Sequence, residues 1–171
     1  MLTINQIPTY LGWSFTRILP GTFKRNRPEF MHHDYPILAP LPTNGAKQQP
    51  LEGASVSGPF IYFVQDDHSK VFYVGKSKEK QVLKRWIRPD DGTPAKHYWT
   101  HSTRTGGCVF NIAKGLRAGE GPYHLRFTSL SALSARFAAL LELDHLMDED
   151  KALKRAEHGM ILALDPAWNQ P

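Results

Sequence analysis

The rhythm of apolar and polar positions changes near residue 59. Before it, prolines fall at positions 8, 20, 28, 36, 40, 42 and 50. Each removes a backbone donor and pushes its predecessor out of the helical region. The stretch 1–58 is therefore expected to hold neither a long helix nor a central strand. It reads as an extended, Pro-rich arm docked on the main domain through Trp13, Phe15, Phe30 and Tyr35, with Gly53 to Gly58 as a linker.

From Pro59 onward the pattern sharpens. Phe60-Ile61-Tyr62-Phe63-Val64 is β-branched and aromatic and predicts a strand. Asp66-Asp67-His68-Ser69 carries turn chemistry, and Val71-Phe72-Tyr73-Val74 predicts the returning strand of a hairpin, ended by Gly75. Residues 78–88 follow as an expected helix, with Val82, Leu83, Trp86 and Ile87 on one face. Thr93-Pro94 has the cap and first-turn residues of another helix. A helix over Val109 to Leu116, a third strand over Tyr123 to Thr128, and two closing helices complete the pattern. Leu133, Phe137, Leu140 and Leu141 share a face of the first closing helix; Leu153, Ala156, Met160 and Leu164 share one of the second, which Pro166 stops. The expected fold class is α+β: a small three-stranded, mostly antiparallel sheet flanked by helices, spanning 59–171, with an insertion around 89–147.

Charge narrows the partners. The formal net charge is +5, but its distribution is uneven. Residues 1–58 hold five Lys/Arg against three Asp/Glu, residues 59–130 hold twelve against six, and residues 131–171 hold four against seven. A basic middle third points to a polyanion, nucleic acid first. The one cysteine, Cys108, forms no disulfide within the chain and suits a small buried residue better than a nucleophile. No apolar run reaches the roughly 18 residues of a membrane span, and the N-terminus lacks the basic start and apolar run of a signal peptide. The expectation is a cytoplasmic protein without a membrane partner.

The order of these motifs resembles the GIY-YIG nucleases, which carry two short strands ending in Gly-Ile-Tyr-like and Tyr-Ile-Gly-like triplets, then a helix Arg, a later helix Glu and a final Asn. Phe60-Ile61-Tyr62 is similar to the first triplet, with Phe in place of Gly; Tyr73-Val74-Gly75 is similar to the second. Arg85 stands where the helix Arg is expected, two residues further from the Gly than in many members. Glu157 is followed by Pro166 nine residues on and Asn169 twelve residues on, as in the final helix of excision-repair members, including His158 directly after the Glu. The resemblance covers roughly residues 59–88 and 150–171.

It implies a Mg²⁺-dependent phosphodiesterase, with Mn²⁺ as a substitute, acting on DNA, double-stranded DNA first. Glu157 becomes the metal ligand, a hard oxygen of the kind Mg²⁺ takes alongside waters. Tyr62 becomes the general base, Tyr73 orients the water shell, and Lys76 assists Tyr62 or touches phosphate. Arg85 can fork onto a phosphate in a way that Lys cannot. Many relatives place a His soon after that Arg. Here His97 is the first candidate for the role and His101, four residues on, the second. That spacing also suits a metal pair, but no third ligand presents itself for zinc. Gly75 is expected to keep the backbone turn facing the substrate uncrowded, and Asn169 to fix the C-terminal loop or the Tyr62 hydroxyl. Lys78, Lys84, Arg88 and Arg104 are the candidate DNA contacts. Within this class a type II restriction-like enzyme is the first expectation, because the 89–147 stretch can supply base-reading elements. An antibacterial or mobile-element nuclease of low specificity is a second, and a palindromic target would call for a homodimer. A non-catalytic nucleic-acid-binding module on the same fold is the alternative from another class. Without the resemblance, each tyrosine also reads as strand packing and Arg85 as a surface residue of a basic helix, whereas Glu157 lies beside the apolar stripe Ala156–Met160, an expensive place for an unpaired charge.

Overall fold

The computed structural model describes residues 2–16, 18–19, 37–38, 52–80 and 108–169. Of the helix expected over 78–88 only residues 78–80 lie within these; its remainder and the helix expected from Pro94 lie outside, as do Lys84, Arg85, Arg88, His97, His101 and Arg104. Within the described residues the chain forms strands β1 (Tyr10–Phe15), β2 (Ile18–Leu19), β3 (Ile37–Leu38), β4 (Phe60–Gln65), β5 (Val71–Ser77) and β6 (Tyr123–Ser129). Helices α1 (Cys108–Arg117), α2 (Leu130–Phe137) and α3 (Glu149–Leu164) accompany them.

The main sheet has four strands in the order β1-β6-β4-β5, and every pairing is antiparallel. The α+β class therefore holds, while the expected three strands become four. The fourth comes from the Pro-rich stretch. Tyr10–Phe15 lies between Pro8 and Pro20, clear of both, and pairs with β6 at the sheet edge, where a strand needs a partner on one side only. Residues 10–15 contain no proline, so the spacing of prolines around them does not keep this segment out of the sheet. A second, two-stranded sheet joins β2 to β3.

Strand β4 explains the arrangement. All six of its residues are buried, so both of its faces need covering, and its sequence runs apolar without alternation. Phe60, Tyr62 and Val64 enter one core with Trp13, Phe15, Cys108, Ile112, Tyr123, Leu125 and Phe127. Ile61 and Phe63 enter the other, with Ile4, Ile7, Val71, Val74, Leu130, Leu133, Leu141, Leu153, Ala156 and Met160. Helix α1 thus covers one face, and α2 with α3 the other. In the first core the Tyr123 hydroxyl donates to Glu120 (2.9 Å), and burial, then this carboxylate, hold its phenol above the ordinary range.

Two expected boundaries move. Strand β5 does not stop at Gly75 but runs to Ser77, and Lys78–Lys80 are not helical; Glu79 N–H donates to Ser77 Oγ (3.3 Å) as the chain leaves the strand. Helix α2 ends at Phe137, short of Leu140, which is exposed. The break lets the chain turn, with Glu142 at φ 50°, so that Leu141 is buried against Gly159 of α3. A Cβ at Gly159 would stand 2.6 Å from Leu141 Cδ2, so glycine is what allows that approach. Helix α3 begins on Asp148, whose side chain accepts from Lys151 N–H (2.9 Å), a bond that holds its carboxyl below the ordinary range. It ends at Leu164, with Asp165 left-handed before Pro166.

Because Trp13 is 1% exposed in β1, the N-terminal strand belongs to the core. Trp13→Ala should cost roughly 3–5 kcal/mol, read as a lowered urea midpoint with an unchanged slope. A cost under about 1 kcal/mol would show that β1 is dispensable.

Candidate functional site

The candidate residues that lie within the described chain gather at strand β5. Tyr62 and Gly75 are cross-strand partners, as are Ile61 and Lys76, and Val64 and Tyr73. Successive side chains of a strand alternate between faces. Tyr62 and Tyr73 therefore project to the α1 face, where their rings stack diagonally, centroids 6.1 Å apart. Lys76 projects to the other face, where it meets α3. Since β5 is the outermost strand, its outer edge lies between the two groups. A cleft of about 370 Å³ wraps that edge and is lined by Tyr62, Tyr73, Lys76, Ser77, Lys78, Glu79 and Glu157.

Glu157 reaches the cleft because of its place on α3. Leu153, Ala156 and Met160 form the buried stripe of that helix, and Glu157 flanks it toward β5. Its Oε2 is ion-paired with Lys76 Nζ, and the two side chains are 20% and 30% exposed. Seven residues earlier, on the same flank, Asp150 accepts from Lys78 Nζ at 2.5 Å, in a more exposed pair. Two Lys–acid pairs thus join β5 and the residue just after it to α3.

Gly75 faces the Tyr62 ring. A Cβ there would stand 2.4 Å from Tyr62 Cζ and 2.5 Å from its hydroxyl oxygen. The glycine leaves room for the Tyr62 ring to lie flat across the neighbouring strand, which leaves that ring 1% exposed. Asn169 fixes the C-terminal loop: its Oδ1 accepts from Val74 N–H (2.7 Å) and its Nδ2 donates to Val74 carbonyl (2.8 Å). Trp168 N–H adds a bond to Phe72 carbonyl (2.8 Å). The loop therefore caps the outer edge of β5, beside the cleft.

Two lining residues, Glu79 and Ser77, and the acid that pairs with Lys78, Asp150, are not among the residues expected from the sequence. Glu79 is a second carboxylate at the cleft, hidden in the sequence by the lysines on either side. Ser77 lies beyond the strand end that the sequence predicts, and its side chain carries no charge to mark it. Asp150 carries no signal in the sequence beyond its seven-residue spacing from Glu157. His158, beside Glu157 in sequence, turns away and lines a separate groove of about 650 Å³ between the 138–147 turn and the outer face of α3. That groove is larger but holds none of the candidate tyrosines or Glu157, so size does not make it the chemical site.

The donor set at the β5 cleft fits a hard divalent cation. Glu157 offers a carboxylate beside open volume for waters, the usual surroundings of Mg²⁺. Among the described residues no three His, Cys, Asp or Glu side chains converge as a closed cage, and none of the described helices is long and apolar enough to cross a membrane. The chain matches no family model, no curated protein and no solved structure.

The contact between Gly75 and Tyr62 can be tested directly. Gly75→Ala should destabilise the fold by roughly 1–3 kcal/mol through overpacking, and Tyr62→Ala in the same chain should remove most of that penalty. Additive costs in denaturant titrations would mean that the two residues do not interact.

Proposed function

We propose that the protein is a metal-dependent DNA endonuclease of GIY-YIG type that works at the β5 cleft. What supports this most is convergence: Tyr62, Tyr73, Lys76 and Glu157, drawn from β4, β5 and α3, line one cleft at a sheet edge. These are the residue types and the order that the sequence resemblance requires.

In this reading Glu157 holds Mg²⁺, which when bound supplies positive charge to the scissile phosphate. The phosphodiester lies along the outer edge of β5, between the tyrosine face and the Glu157 face. Tyr62 takes the proton from the attacking water, and Tyr73, stacked beside it, orients that water. A phenol ordinarily titrates near 10, so Tyr62 needs a nearby cation to act as a base. Arg85, on the segment after β5, forks onto the phosphate as charge develops. Lys78 and the basic residues beyond it, Lys84, Arg88 and Arg104, hold the DNA backbone, and His97 or His101 takes the family's His role. Double-stranded DNA is the first substrate and a type II restriction-like enzyme the first context. Mn²⁺ should replace Mg²⁺, and a palindromic target would call for two copies of the chain.

A second reading has one observation in its favour. The Tyr62 ring is 1% exposed and seated on Gly75, as a purely structural tyrosine would be. A non-catalytic DNA-binding module would need no more than that.

Plasmid DNA incubated with the protein separates the two. In Mg²⁺ the wild type should cleave, and EDTA should stop it. Glu157→Ala should abolish cleavage yet still retard DNA on a gel. Equal retardation with and without metal, and no product from any substrate, would leave the binding module. Tyr62→Phe should lower the rate roughly 10²–10⁴-fold, the worth of a general base. A near-wild-type rate would remove Tyr62 from that role.

A further inference from the structure

The Glu157 carboxylate already has a cation. Its Oε2 is ion-paired with the Lys76 ammonium, and four-fifths of the side chain is buried. A carboxylate so placed is costly to leave without a counter-charge. The second pair, from Lys78 just past β5 to Asp150, is at least half exposed on both sides and lies two turns of α3 away. The two pairs therefore differ in kind: the outer one is an ordinary surface pair, and the inner one sits in the cleft on the oxygen a metal would use.

We propose that Lys76 is the resident counter-cation of Glu157, occupying its carboxylate in the metal-free protein and competing there with a divalent cation. The inference rests on the nuclease reading for the identity of the metal site. Its physical basis is simple. An ammonium and a divalent cation on one carboxylate repel each other at close range, where surrounding protein screens poorly. A lysine suits the exchange, because its charge is compact and its four-carbon stem is flexible. An arginine would fork onto both oxygens and resist displacement. Once released, the ammonium remains in the cleft, within reach of a phosphate that lies along the β5 edge. Metal arrival is thereby coupled to freeing a positive charge for the substrate.

The test needs no nucleic acid. Free Mn²⁺ is followed by electron paramagnetic resonance as it is titrated into the full chain. Glu157→Gln identifies the site by abolishing the tightest binding. Lys76→Met should then bind Mn²⁺ about fivefold or more tightly than wild type, at the low end of ordinary site-to-site coupling. Lys76→Arg should bind it more weakly than wild type, which keeps the idea testable if the methionine variant folds poorly. Lys151→Met removes a charge from the exposed outer face of α3 and controls for net charge; it should leave affinity unchanged. Unchanged or weaker binding in Lys76→Met, or Mn²⁺ binding that survives Glu157→Gln, overturns the proposal. A wild type that binds Mn²⁺ at Glu157 and cleaves nothing would sink the nuclease reading alone. A wild type that cleaves while Lys76→Met leaves affinity untouched would sink this inference alone.

Discussion

The rest of the molecule follows from the burial of β4 on both faces. Six consecutive buried residues leave no solvent side, so the chain must supply a layer on each face of the sheet. The aromatic face takes α1, Trp13 and Phe15; the aliphatic face takes α2, α3 and the short turn that carries Ile4 and Ile7. With both faces closed, polar chemistry has only the rim of the sheet to occupy. The cleft lies there, where side chains from opposite faces of one strand can share a single opening.

That position explains why the candidate residues alternate as they do. Tyr62 and Tyr73 pack in the aromatic core and also line the cleft. Lys76 and Glu157 belong to the other face and come to the cleft from behind the strand. A strand alone cannot bring both sets together; a helix crossing its back at the level of Lys76 is required. Helix α3 is held at that level by Leu153, Ala156 and Met160 and by the two ion pairs.

Much of this was legible in the sequence, for identifiable reasons. The hairpin was clear because Phe60 to Val64 is densely apolar and Asp66 to Ser69 is turn chemistry. Helix α3 was clear because its apolar positions recur at helical spacing and Pro166 follows it. The edge strand Tyr10–Phe15 was not, because neighbouring prolines masked six residues that contain none. The end of α2 was not either, since the contact that bends the chain lies between Leu141 and Gly159, eighteen residues apart. At the site, residue types were readable and partnerships were not. Nothing in the spacing of Lys76 and Glu157 announces that they pair, and nothing marks Gly75 as the seat of an aromatic ring.

Both outer borders of the sheet are closed by short loops. On the β1 side, Glu52 N–H donates to Leu11 carbonyl (2.8 Å) and its carboxylate accepts from Leu11 N–H (2.9 Å). On the β5 side, Trp168 and Asn169 do the same for Phe72 and Val74. Each loop imitates one rung of a further strand and then stops. An open border of a sheet is a template for another chain, and a few such blocking residues suppress that self-assembly. Shortening the chain before Trp168 would therefore do more than loosen the cleft: it would expose an adhesive ribbon, and the first sign of the loss would be insoluble protein.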